Sequence, residues 1–463
     1  MGSTPLDSAF FKDLFGTDEM RNVFEERNQL QKWLDVEAAL ARVEGKLGVI
    51  PQEAADAIVS HAKADELSIA NIKREMDITR HPIVPLVREL QRQCPGDTGE
   101  YIHWGATTQD IQDTAMVLQL REAIPLLLRD IRRIEESLII LAESHRDTLM
   151  PGRTHGQQAL PLTFGYKVAV WLAEIRRHIE RLKECRTWLL VGQFSGGAGS
   201  LASLSDRAGE VREALMEDLG LGLPDITWHT SRDNVVQFVV LLSMITGTLA
   251  KIGHQIVVLQ RTEIGELEER FGPGQVGSST MPQKRNPMWS EQVGALARIV
   301  RGHAGTALEC LEHEDERDSA ALHPEWHYIS ESCILTAGAL NLCIDITNNL
   351  QVRPDNMKRN LDESKGLIMS EAVMIGLAKK LGRQTAHDVV YDAAQEAFVQ
   401  GRHLRELLQE SKQVTDSLTE SEIDSLLDPT DYLGLAPVFV DEVVAASRRA
   451  RKQEANGTWS VGN

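Results

Sequence analysis

The chain is poor in the residues that build cross-linked or membrane-bound proteins. Its 463 residues hold five cysteines, Cys94, Cys185, Cys310, Cys333 and Cys343, with no Cys-x-x-Cys pair among them. An odd set of isolated thiols predicts no disulfide framework and reads as reduced core or surface thiols in a cytoplasmic protein. Aromatics make up only 5%, and abundant Leu, Ala, Glu and Arg favour helices over sheets. The longest apolar run, Phe238 to Ala250, already contains Ser243 and Thr246. It is too short to span a bilayer, so a buried core helix and no membrane partner are expected. No N-terminal signal peptide is visible. Positive charge is in deficit: the net charge is -19 and the pI is near 5.2, which argues against nucleic acid as a partner. Any anionic small molecule must be drawn by a local group of Arg, Lys and helix N-termini. HExxH, paired CxxC and clustered carboxylates are also missing, so no metal is expected. Gly192–Ser200 is glycine-rich but lacks the Lys-Ser/Thr of a phosphate-binding loop.

With 42% hydrophobic residues, the chain can bury a large core, and its length suggests about three domains. Up to about Gln112 the segments are short and broken by Pro51, Pro82, Pro85 and Pro95, which predicts a helical N-terminal domain over 1–112. From Asp113 the apolar residues recur at helical spacing in long segments: Asp113–His145, Leu160–Leu190, Asp233–Arg270, Met288–Leu311 and Ile329–Leu350. In the first of these Pro125 should introduce a kink. These segments predict a bundle of long helices over 113–363. Helices shorten again after Ser364, giving a small helical domain over 364–463 whose end, from Arg448, is polar and should fray.

Unusual residues gather in the connections. Thr107-Thr108-Gln109-Asp110, just ahead of a helix, can donate to a carboxylate or simply cap the helix. Arg153-Thr154-His155-Gly156-Gln157 carries a histidine suited to general acid–base work, although a lone histidine is more often structural. Trp228-His229-Thr230-Ser231-Arg232 offers Arg232 for a bidentate grip on a carboxylate, or for a salt bridge at a helix start. The acidic run Glu314–Asp318 reads as a solvated face, with Arg317 its one binding candidate. The densest string is Gly277-Ser278-Ser279-Thr280-Met281-Pro282-Gln283-Lys284-Arg285-Asn286, closed by Glu291. Serine is a poor base unless backbone donors, a helix dipole and cations stabilise its alkoxide. Gly272, Gly274 and Gly277 would let the loop move.

This string matches the signature of the fumarase/aspartase superfamily. With His81 and His103 early and Thr154-His155-Gly156-Gln157 between, the order of the loops resembles that family over nearly the whole chain. The branch it resembles holds adenylosuccinate lyase and 3-carboxy-cis,cis-muconate cycloisomerase, the latter through His103-Trp104-Gly105-Ala106-Thr107, Trp228-His229-Thr230 and Leu426-Leu427-Asp428-Pro429. The resemblance implies an all-α, three-domain fold, a homotetramer whose sites take loops from three subunits, and no cofactor. It implies Ser278 as the base taking a Cβ proton, and His155 as the acid serving the leaving group, paired with Glu291 of another subunit. Thr107, Thr108, Lys284 and Asn286 would bind carboxylates. His81, His103, Gln157, Arg232, Ser279 and Arg317 would complete the pocket. The implied reaction is elimination of a C–N or C–O bond in a succinyl-type polycarboxylate, or its reverse, with lactonisation of a muconate, adenylosuccinate cleavage and an inactive tetrameric binding protein as alternatives. Where adenylosuccinate lyases carry phosphate-binding serines and an arginine, this chain reads Ala320-Ala321-Leu322-His323-Pro324-Glu325-Trp326.

Overall fold

A computed structural model describes residues 4–455. The fold is all-α apart from two small two-stranded sheets. Its principal helices are α1 (Glu26–Leu47), α2 (Thr108–Ser144), α3 (Phe164–Leu189), α4 (Asp233–Leu259), α5 (Met288–Glu309), α6 (Glu325–Asn349) and α7 (Ala436–Ala455). The predicted bundle is formed by α2 to α6, whose apolar stripes meet in one core that includes Ile124, Leu172, Phe238, Leu242, Leu296 and Leu340.

Several element boundaries differ from expectation, each for a local reason. α2 begins at Thr108, not Asp113, because Asp110 accepts the backbone N–H of Thr107 at 3.0 Å in a capping box. A domain boundary at 112 therefore cuts a continuous helix. α2 runs through Pro125 without ending. The segment expected to be helical from Leu160 starts as a strand, and the helix opens only at Phe164, where Thr163 Oγ1 accepts the N–H of Tyr166 at 3.1 Å. The helix from Asp233 ends at Leu259 rather than Arg270. By length and composition both α4 and the segment Ser319–Asn349 could cross a membrane, but 56% and 72% of their most apolar stretches lie inside the protein, as suits core helices.

The N-terminal region has its own core, built on Leu34, Leu40, Ile58, Leu86 and Leu90 and joined by Phe194, Val211 and Leu215 from the Gly192–Leu221 segment. Residues 373–423 form another around Val373, Val390, Leu404 and Leu408. The last helix, α7, departs from the expected 364–463 unit. Its Val440 and Val444 enter the bundle core, and ion pairs from Arg448 to Glu143, Arg451 to Glu135 and Glu454 to Lys183 hold residues expected to fray. The remainder of that polar end, from residue 456, lies outside the described residues. All five cysteines are buried and unpaired.

One buried charge site makes stability depend on pH. Glu44 of α1 is fully buried, and neither carboxyl oxygen has a partner. Burial, then the charge of Glu37, pushes its carboxyl up to about 9. In the unfolded chain it titrates near 4.5. The stability carried by the neutral form is therefore complete below that value and lost as pH rises toward about 9, at about 1.4 kcal/mol per pH unit. Glu44→Gln stays neutral, so its thermal unfolding should gain on the wild type between about pH 5.5 and about pH 8.5. A constant difference would show that Glu44 is ionised in the fold.

Candidate active site

The predicted residues fall into three places. The first is the start of α2. His81 Nδ1 accepts the N–H of Val84 at 3.3 Å, which leaves its proton on Nε2. Nε2 therefore donates to Thr108 Oγ1 across 3.0 Å, and the Thr108 hydroxyl keeps its own proton for a ligand. Burial, then the nearby charge of His103, lowers the His81 pKa and keeps it neutral. Arg317 Nε donates to Gln109 Oε1 at 3.1 Å, which brings a cation to the same helix end. Asp110 takes no part in binding. Fully buried, it accepts from the N–H groups of Ser195 and Gly196, both at 2.9 Å, and from His229 Nε2 at 2.8 Å. The glycine-rich loop thus wraps a carboxylate of its own chain.

The second place is a β-hairpin that replaces the expected plain loop. Strands β1 (Leu149–Thr154) and β2 (Gln157–Thr163) pair antiparallel, with Thr154 opposite Gln157. His155 and Gly156 form the two-residue turn, both with positive φ (52° and 78°), as a primed turn demands. His155 and Gln157 are exposed at its tip. Beneath it, Arg153 makes a bidentate pair with Glu266 at 2.5 and 2.9 Å, and Asn360 bonds the same fully buried carboxylate at 2.8 Å.

The third place is the signature loop ahead of α5. Ser278 Oγ accepts the backbone N–H groups of Thr280 at 3.3 Å and Met281 at 3.1 Å. These are donors that would favour an alkoxide over the hydroxyl. Gly277 lets the loop fold back on itself: a Cβ there would lie 2.2 Å from the carbonyl oxygen of Lys284. Ser279 and Lys284 are exposed, while Asn286 and Gly277 line a cavity of about 220 Å³ with Glu269 and Trp289. Glu291 is exposed in the first turn of α5. The helix start is held by the buried Glu269, which accepts the N–H of Ser290 at 2.7 Å.

Arg232 requires a correction. It does not face a ligand. It is 1% exposed, bonded to Asp113 at 2.8 and 3.0 Å, and paired with Glu325. Burial opposes its charge, but the two carboxylates outweigh burial and hold it protonated. Trp228 covers it at 4.7 Å. The bland alternative, a salt bridge at a helix start, is the one realised. Sequence reading also missed Glu37, whose only local signal was a carboxylate inside the apolar run Val36–Ala41.

One chain does not bring the three places together. α2 has 37 residues, so its ends are about 54 Å apart. Phe164 N–H to Thr148 O and Gly165 N–H to His145 O pin the connection at its far end. The seven residues from there to His155 reach at most ~25 Å. Thr108 and His155 are thus separated by roughly 30 Å within a chain.

A family described as Lyase matches residues 15–302, and one described as Adenylosuccinate lyase C-terminus matches 366–443. The chain is a lyase of the fumarase/aspartase superfamily. It is 44% identical over 444 residues to the N-acetyl-S-(2-succino)cysteine lyase of Dickeya dadantii, covering 96% of this chain and 98% of the relative. It is 42% identical to the adenylosuccinate lyase of Methanocaldococcus jannaschii, covering 93% and 94%. In three dimensions it resembles the 3-carboxy-cis,cis-muconate lactonizing enzyme of Pseudomonas putida with a TM-score of 0.90, 40% identity, and coverage of 96% and 99%. The lyase is thus an enzyme whose relatives act on different polycarboxylates.

Proposed function

We propose that the enzyme eliminates a leaving group without phosphate from a succinyl-type substrate and releases fumarate. The observation that carries this reading is a cavity of about 290 Å³ lined by Trp33, Met76, Met116, Leu322 and Trp326, with the carboxylates of Asp113 and Glu325 in its wall. It adjoins the first place, because Pro82 follows His81 and Gln112 lies one turn beyond Thr108. A phosphate there would meet apolar walls and two carboxylates sharing one guanidinium, a placement that costs several kcal/mol. A thioether or amine leaving group with an apolar body fits better. The C–S bond named for the Dickeya relative therefore joins the C–N and C–O bonds as a candidate.

In this reading Thr107, Thr108, Lys284 and Asn286 hold the substrate carboxylates, Ser278 takes the Cβ proton, and His155 protonates the departing atom. A homotetramer supplies what one chain cannot, given the separation of roughly 30 Å set by helix rise and chain reach. Exposed apolar side chains along the long helices, Ile140, Val170, Met244, Ile299 and Leu308, are suited to such an interface. Sedimentation should give four copies; a monomer would leave every site incomplete.

Ultraviolet assays with S-(2-succino)cysteine, its N-acetyl derivative, adenylosuccinate and 3-carboxymuconate separate the readings. Turnover should be fastest on a succinyl thioether, and a preference for adenylosuccinate would overturn the proposal. Lactone formation from the muconate would favour the second reading, which the His323-Pro324-Glu325-Trp326 pattern supports. His155→Asn should slow substrates with poor leaving groups most, by about 10²- to 10⁴-fold. Equal losses across leaving groups would remove His155 as the acid.

A further inference from the structure

His103, next to the start of α2, is held by a residue that lies 66 positions away in sequence. His103 Nδ1 is 2.7 Å from Glu37 Oε1. Glu37 is 1% exposed, and its second oxygen has no partner. Among the described residues His103 Nε2 has no hydrogen-bond partner, so it is free for a ligand. The backbone at His103 is left-handed, with φ 66°, a conformation that a non-glycine residue adopts only when its surroundings hold it there. Glu44 lies two turns further along α1, and burial, then the charge of Glu37, raises its pKa.

We propose that Glu37 is a positioning residue that holds His103 as an imidazolium, so that His103 presents Nε2–H and a positive charge to the carboxylate of the substrate. Besides Glu37, two other groups face this imidazole. They are Asp110 on α2, which adds negative charge, and His81 before the helix Ile83–Gln93, which feels the imidazolium and stays neutral. Burial alone would lower the His103 pKa. The charge and hydrogen bond of Glu37, then Asp110, outweigh it and hold the ring above its ordinary value. A chain with net charge -19 needs such a local cation, and a buried carboxylate is the device that keeps an imidazole charged at neutral pH.

The protonation half stands on the 2.7 Å His103–Glu37 contact and the charges around it; the anion-binding half rests on the proposed succinyl chemistry. Two readouts keep them apart. Hydrogen–deuterium exchange at the imidazole C2 position, followed by mass spectrometry of the intact assembly across pH, gives the titration midpoint of each histidine. In the wild type the His103 midpoint should lie above the ordinary histidine range. In Glu37→Gln it should fall below that range, and the His81 midpoint should rise as the neighbouring charge disappears. An unchanged His103 midpoint would overturn the proposal. Calorimetry with fumarate as the probe should show affinity falling as pH rises through the His103 midpoint. In Glu37→Gln that fall should move to lower pH, and affinity near neutrality should weaken about ten- to a hundredfold, the loss of one charge-assisted hydrogen bond. A shifted midpoint with unchanged fumarate affinity would sink the anion-binding role. If fumarate fails to bind the wild type at all, the succinyl reading fails, and the exchange midpoints still decide the Glu37–His103 pair.

Discussion

A Ser278→Ala enzyme should lose turnover by about 10³-fold or more, while its unfolding transition and oligomeric state stay at wild-type values. The loss is the contribution of a positioned base, about 10²- to 10⁴-fold, together with the oxyanion-like stabilisation from the N–H groups of Thr280 and Met281, which have no alkoxide to serve once the oxygen is gone. Stability is spared because the Ser278 side chain bonds only to its own loop, and such surface changes stay within about 0.5 kcal/mol. The measurement is kcat/KM on whichever succinyl substrate the wild type cleaves, alongside exchange of substrate Cβ hydrogen with deuterated solvent. Wild-type exchange in the variant would mean that another group takes the proton. The same variant tests the shared site. Refolded mixtures of Ser278→Ala with His155→Asn should regain part of the lost activity, because hybrids contain sites with an intact serine from one copy and an intact histidine from another. Mixtures that stay dead would place both groups on one chain, against the shared site proposed above.

What could be read before the structure follows from how local each signal is. The long helices showed as apolar recurrence because each buries one stripe in a common core. Their starts were less visible: Thr108-Gln109-Asp110-Ile111-Gln112 is mostly polar, and its helical state depends on the Asp110 cap. The hairpin around His155 was hidden because Pro151 and Pro161 face each other across it, and prolines read as loop. The serine, lysine and asparagine of the signature loop were legible because they are contiguous in the chain. The partners of Arg232 and His103 were not. Asp113 and Glu325 lie 119 and 93 residues from Arg232, and Glu37 lies 66 from His103. An ionisable side chain carries no mark of which distant charge it will meet, so a binding arginine and a structural one look alike in the chain. Arg232 sits beside Trp228-His229-Thr230 and was read with those neighbours. In the fold Arg232 and His229 turn inward, His229 buried on Asp110, while Trp228 and Thr230 stay half-buried.

The second large effect tests that reassignment. Arg232→Leu should destabilise the protein by about 3–5 kcal/mol, because it strands two carboxylates that have lost their shared cation. The guanidinium is fully enclosed and ties Asp113 of α2 to Glu325, the first residue of α6, from the residue that opens α4. This one group joins three helices of the bundle at one end, so the unfolding transition should report the loss directly. Adding Asp113→Asn and Glu325→Gln removes the stranded charges. This triple variant should recover most of the stability, since replacing a whole buried ion cluster by neutral groups is close to neutral, whereas breaking one half is not. A substrate-binding arginine predicts a different pattern: Arg232→Leu would raise KM about tenfold or more with little change in unfolding, and neutralising the two carboxylates would restore nothing. Chemical unfolding of the three proteins, paired with KM for the folded fraction, separates these patterns. A stable Arg232→Leu enzyme with a raised KM would return Arg232 to the substrate pocket and show that the guanidinium leaves its carboxylates when substrate arrives.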